Sequence, residues 1–177
     1  MFKKKFNNKK GILFWVTGLS GSGKTSISKK IKKEICKKFG PTIIVSGDDL
    51  RKIFGFNKYD PQSRKSLSKK FCKFAKFITD QKINLIFAIV GLINEPRKWN
   101  KKNISNYVEI YIKANLKQII KLGKKKIYNN KKSEKIVGVN IQPEFPKNPD
   151  ITINNNFSKS TDQLSKELLK KIKELYY

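Results

Sequence analysis

Eight consecutive residues, Gly18-Leu19-Ser20-Gly21-Ser22-Gly23-Lys24-Thr25, have the composition and order of a loop that wraps a polyphosphate. Glycines at positions 18, 21 and 23 let successive backbone N–H groups curl around phosphate oxygens. Lys24 is placed to reach the β- and γ-phosphates, and the Thr25 hydroxyl to ligate Mg²⁺. Ser20, Ser22 and Ser26 complete the set expected to bind ATP. A second group follows in Ser46-Gly47-Asp48-Asp49-Leu50-Arg51. There the Asp48 carboxylate could hold Mg²⁺ through water or take the proton from an attacking hydroxyl, whereas Asp49 suits the cap of a following helix. The combined chemistry is phosphoryl transfer from Mg-ATP, with Lys24 and Asp48 as the catalytic pair.

Such a loop works only between a strand and a helix, and both are written around it. Gly11 to Thr17 is a short apolar run, and Ser26 to Phe39 reads as a helix whose positive N-terminus meets the same anion. Gly40-Pro41 ends that helix, and Thr42 to Ser46 is a second apolar strand delivering Asp48 to the same edge. Gln62 to Asp80 carries Leu67, Phe71, Phe74, Ala75 and Ile78 on a helical period. Ile83 to Val90 is nearly all apolar, the pattern of a strand buried on both faces of a parallel sheet. Tyr107 to Ile112 and Ile151 to Ile153 read as further strands, Leu116 to Leu122 as a short helix, and about 162–176 as a closing helix. The expectation is a single α/β domain of the P-loop NTPase type over residues 1–177. Its sheet is doubly wound and mainly parallel, with helices on both faces and ligands beyond the carboxyl ends of the strands.

Composition narrows the alternatives. The chain has no histidine and two cysteines, which excludes a Ser-His-Asp triad and a His/Cys zinc site, so any metal must be held by oxygen. Cys36 and Cys72 lack metal-ligand spacing and read as packing residues. No apolar run reaches the roughly 18 residues of a membrane span, and Met1 to Lys10 is too polar for a signal peptide, so a cytoplasmic location is expected. The net charge of +28 invites a nucleic-acid reading. Against a specific role of that kind, the lysines are spread along the whole chain, without interleaved aromatics on one element. Only three of the 41 basic residues are arginine. Arg51, Arg64 and Arg97 are therefore candidates for places that need a planar fork, on phosphate or against a base.

The ordered set formed by the loop, Ser46 to Arg51, Phe56, Arg64, Gly138 and Pro143-Glu144-Phe145-Pro146-Lys147-Asn148-Pro149 resembles the adenylyl-sulfate kinases over about residues 11–154. That family phosphorylates the 3′-hydroxyl of adenylyl sulfate with Mg-ATP. The resemblance implies that Asp48 is the catalytic aspartate and that Arg51, Phe56, Arg64 and Lys125 surround the acceptor nucleotide. A mobile lid over about 124–136 would close on both nucleotides. Dimerisation is frequent in the family, which makes a second copy of the chain a candidate partner. The acceptor side departs from the pattern. Leu67 stands where the family has Asn, Lys69 where it has Arg, and Val90-Gly91-Leu92-Ile93-Asn94 where it has Ile-Ser-Pro-Tyr-Arg. A relative acting on another nucleotide, such as the kinases of cytidine diphosphoramidate in capsule modification, is thus the alternative. A nucleotide-binding module without catalysis is a further one, opposed by Lys24, Thr25 and Asp48.

Overall fold

The computed structural model describes residues 4–125, 128 and 135–176. Five strands form one parallel sheet in the order β2-β3-β1-β4-β5, where β1 is Leu13–Thr17, β2 Thr42–Ser46, β3 Asn84–Ala88, β4 Tyr107–Lys113 and β5 Ile151–Asn154. The chain winds outward from β1 to β2, returns to β3, and then crosses β1 to β4 and β5. The carboxyl end of β1 thus lies where the winding reverses, the place at which such sheets bind ligands. Every residue of β1 and β3 is buried, as their unbroken apolar runs require.

Alternation along β1 divides the core. Phe14 and Val16 pack with Ile27, Ile31 and Ile35 of α1 (Lys24–Phe39) and Leu164, Leu168 and Ile172 of α6 (Thr161–Tyr176). Leu13 and Trp15 face the opposite way, onto Leu67, Phe71, Cys72 and Ala75 of α3 (Pro61–Asp80) and Leu50 of α2 (Gly47–Ile53). Helices therefore cover both faces, as expected. Burying a large aliphatic or aromatic side chain is worth roughly 1.5–3 kcal/mol, so each face contributes to holding the sheet.

Local chemistry explains the boundaries near the cleft. Ser46 caps α2 by accepting from the Asp49 N–H at 3.0 Å while Asp49 accepts from the Ser46 N–H at 3.2 Å, a reciprocal box that gives Asp49 the capping role read from sequence. Asp60 caps α3 through the Ser63 N–H at 2.8 Å, and Pro61 occupies the first turn, so the helix begins one residue before the expected start. Of the two cysteines Cys72 is buried, but Cys36 is exposed. Cys36 is therefore not a packing residue: it lies on the outward face of α1, beside buried Ile35.

One helix was not visible in the periodicity. α4 (Asn94–Asn103) has a polar sequence, and its buried positions are Pro96, Arg97 and Asn100. No apolar stripe announces it because a charged residue fills the core position. Arg97 Nε lies 2.8 Å from Glu109 Oε1 of β4, and the guanidinium also donates to the Gly91 carbonyl at 3.0 Å and to Asn94 Oδ1 at 2.5 Å. This corrects the expectation that Arg97 meets phosphate or a base: it is 5 % exposed and pairs with a partly buried carboxylate. Burial pushes the Glu109 carboxyl up, and Arg97 opposes that shift. Arg97→Ala would leave Glu109 with only the more distant Lys101 and Lys4 to oppose its burial, an expected loss of about 3 kcal/mol read as a lower urea midpoint. A change within about 0.5 kcal/mol would mean that water reaches the pair. Among the described residues no helix is long and apolar enough to cross a membrane. α5 (Leu116–Lys121) completes the set and precedes the segment read as a lid.

Candidate functional site

At the carboxyl edge of the sheet a cleft of about 770 Å³ is lined by the loop after β1, the start of α2, the first turns of α3, the segment after β3, and residues flanking β5. That volume lies within the ordinary range for small-molecule sites. The loop owes its shape to Gly21 and Gly23, whose φ angles are 81° and 93°. A side chain at Gly21 would be built 2.8 Å from the Ile119 Cγ2 methyl. Gly23, at the N-cap position, lets the chain turn directly into α1.

The structure brings Ser20, Gly21, Gly23, Lys24, Thr25, Ser26, Asp48, Arg51, Arg64 and Lys125 together around this cleft. Gly18 and Ser22 are buried beneath it and support the loop from below, the Ser22 carbonyl accepting from Asn155 Nδ2 at 3.0 Å. Phe56 is not brought in. It borders a neighbouring cavity with Gly55, Lys58 and Lys70, packs against the α3 side of the core, and lies 5.8 Å centroid to centroid from Phe54. Of the expected lid, Lys124, Lys125, Tyr128, Lys135 and Ile136 are described, and the rest of 124–136 lies outside the described residues.

Lys24 is 8 % exposed, and its ammonium donates to the Leu19 carbonyl at 2.7 Å. Burial lowers its pKa to about 7; the Asp48 carboxylate pulls it back up, and Lys125 pushes it further down. The side chain is thus held within the loop. Asp48 is exposed to the cleft from the first turn of α2, and Thr25 is exposed at the start of α1. The oxygens of Thr25 and Asp48 are hard donors that suit Mg²⁺. Among the described residues no group of three or more Cys, Asp or Glu side chains could hold a metal alone. A sparse protein set matches an ion that keeps waters and takes substrate phosphate as ligand.

Arg51 and Arg64 both contact the loop between α2 and α3. Arg51 Nη1 donates to the carbonyls of Phe56 at 3.2 Å and Lys58 at 2.9 Å, and Arg64 Nε donates to the Tyr59 carbonyl at 2.6 Å. Their guanidinium carbons lie 4.4 Å and 5.3 Å from the centre of the Tyr59 ring. Arg64 Nη2 also crosses to the Lys135 carbonyl at 2.8 Å, joining α3 to the end of the lid segment. Burial and the neighbouring Arg51 lower the Arg64 pKa.

Sequence reasoning missed three residues here. Tyr59 lines the cleft between the two arginines, and only the turn around it was legible. Phe157 follows Asn155, which ties β5 to the phosphate loop; Phe157 adopts φ 66°, rare for an aromatic residue, with Lys124 Nζ 5.5 Å from its ring centre. Tyr128 donates its hydroxyl to the Ser20 carbonyl at 3.0 Å. The Asn155-Asn156-Phe157 turn was the available signal, since Asn155 Oδ1 accepts from the Phe157 N–H at 3.0 Å.

Residues 10–154 match the family model described as adenylylsulphate kinase. A cytidine diphosphoramidate kinase of Campylobacter jejuni is 35 % identical over 90 % of this chain and 95 % of its own length. An adenylyl-sulfate kinase of Staphylococcus epidermidis is 27 % identical over 97 % of this chain and 88 % of its own. Among solved structures, the Mycobacterium tuberculosis APS kinase CysC in complex with AMPPNP and APS superposes with a TM-score of 0.80 at 21 % identity, covering 93 % of this chain and 98 % of that one.

Proposed function

The chain belongs to the adenylylsulphate kinase family and is an ATP-dependent phosphotransferase with a hydroxyl acceptor, and from that premise we propose that the acceptor is a cytidine diphosphoramidate. The observation that carries this choice is Leu67. It is 6 % exposed in the cleft wall beside Ser68 and Phe71, at the position where the adenylyl-sulfate pattern has Asn, and Gly91 lines the cleft where that pattern has Ser. Two hydrogen-bonding side chains are thus absent from the acceptor wall. A polar group of adenylyl sulfate that relies on either side chain would go unpaired here, a loss of about 1–3 kcal/mol each. The acceptor wall thus departs from the adenylyl-sulfate pattern, and the C. jejuni relative, a cytidine diphosphoramidate kinase, is named for a different acceptor.

In this reading the loop amides and Lys24 hold the β/γ-phosphates, Asp48 takes the proton of the acceptor hydroxyl, and Arg51 and Arg64 fix the acceptor. Thr25 and, through water, Asp48 would hold Mg²⁺, which would supply charge neutralisation on the transferring group. Phe157 and Lys124 form the side on which the ATP base rests. Phe157→Ala is expected to raise KM for ATP about tenfold, from a stacking contribution of roughly 1–3 kcal/mol, with kcat little changed. An unchanged KM for ATP would remove Phe157 from the donor site.

The deciding experiment gives the purified protein Mg-ATP with cytidine diphosphoramidate or adenylyl sulfate and follows the phosphorylated product by mass. We expect kcat/KM to favour the cytidine acceptor by about tenfold or more. The reverse order would establish the second reading, adenylyl sulfate, which Asp48, Arg51 and Arg64 favour because they keep the family's positions.

A further inference from the structure

The cleft is strongly cationic, with eight lysine and arginine side chains among its described lining residues, yet two carboxylates stand in it: Asp48 and Glu144. Asp48 has a part in the chemistry. Glu144 has none so far, and a carboxylate in a polyanion site weakens the field that attracts the ligand. Its placement is well defined. The Glu144 N–H donates to the Leu92 carbonyl at 3.0 Å, and its Oε2 accepts from the Asn94 N–H at the start of α4, a helix with no side-chain cap of its own. Oε1 takes no hydrogen bond or ion pair among the described residues. The neighbouring cations Lys65 and Lys69 pair instead with Glu95, at 2.7 Å and 3.0 Å. A group oriented through one oxygen and left open at the other, on the acceptor side of the cleft, is an acceptor-only recognition element.

We infer that Glu144 reads the exocyclic amino group of the acceptor's base, its Oε1 accepting from that N–H and repelling a carbonyl at the same place. This rests on the kinase reading of the cleft and on no particular acceptor, because cytosine and adenine both carry such an amine whereas uracil and hypoxanthine present a carbonyl. Glu144 is a specificity residue and takes no part in moving the phosphoryl group. Glu144→Gln is the informative change: the amide oxygen can still cap Asn94, and the amide N–H groups then face the base as donors.

The experiment measures kcat/KM of the wild type and E144Q with two matched pairs: cytidine and uridine diphosphoramidates, and adenylyl and inosinyl sulfates. Expected is a wild-type preference for the amino member of the active pair of about tenfold or more, reduced to near one or inverted in E144Q. The melting temperature should be unchanged. Equal loss on both members with an intact ratio would assign Glu144 a purely structural role and overturn the inference. A wild type that does not discriminate within the active pair would overturn it too. Turnover of the adenylyl pair alone would overturn the cytidine reading while leaving the Glu144 comparison decisive, and turnover of neither pair would overturn both.

Discussion

Lys24→Ala is expected to lower phosphoryl transfer by roughly a thousandfold or more while leaving the protein folded. The ammonium is the one cation built into the loop itself: it is held on the Leu19 carbonyl at 2.7 Å, and burial brings its pKa down to about 7. Its charge is costly without phosphate, and strongest where negative charge gathers on the transferring group. Removing it leaves the loop amides as the principal electrostatic partners of the phosphates. It also removes a desolvated group from the empty protein, so the melting temperature should hold or rise. The measurement pairs single-turnover transfer with thermal unfolding. Appreciable turnover by the folded variant would overturn the assignment of Lys24 to catalysis.

The second large effect is expected at Asp48. Replacing it with Asn keeps size and the start of α2, since the cap of that helix is made by Ser46 and Asp49. The change removes a proton acceptor and a charge that raises the Lys24 pKa. General-base contributions run at roughly a hundredfold to ten-thousandfold, so kcat should fall within that range while KM for ATP moves only severalfold. A near-normal kcat would reassign the proton to water. A large rise in KM for ATP with kcat preserved would make Asp48 a binding residue for the metal-nucleotide alone.

The phosphate loop and its flanking elements were legible because they depend on neighbours in sequence. Glycines at fixed spacing, an apolar run before them and a helical period after them carry their geometry with them. The role of Asp49 as a cap was legible for the same reason, its partner being three residues away. Arg97 was misjudged because its partner, Glu109, belongs to another element, and because a charged residue in a polar helix gives no sign of burial until β4 is set beside it. The surroundings of Phe56 were hidden for a related reason. Its position after Arg51 matched the family, but the turn that follows directs it towards Lys70 and a second cavity, with Lys70 Nζ 5.2 Å from its ring.

By itself the sequence determined the donor half of this protein: a parallel α/β sheet with a phosphate loop at the end of its first strand, and a carboxylate delivered by the second. Those features rest on local backbone freedom and on hydrophobic periodicity, which the order of residues carries directly. Tertiary structure decided which groups stand next to one another on the proposed acceptor side. Leu67 of α3, Gly91 after β3, Tyr59 of the loop between α2 and α3, and Glu144 before β5 lie far apart in the chain, and they meet only because the sheet brings its carboxyl edge to one cleft. What a side chain there can recognise depends on which other groups have already taken its hydrogen-bonding atoms. That is why Arg51, with Nη1 alone taken by loop carbonyls, and Glu144, with one carboxylate oxygen open, have meanings that their positions in the chain do not convey.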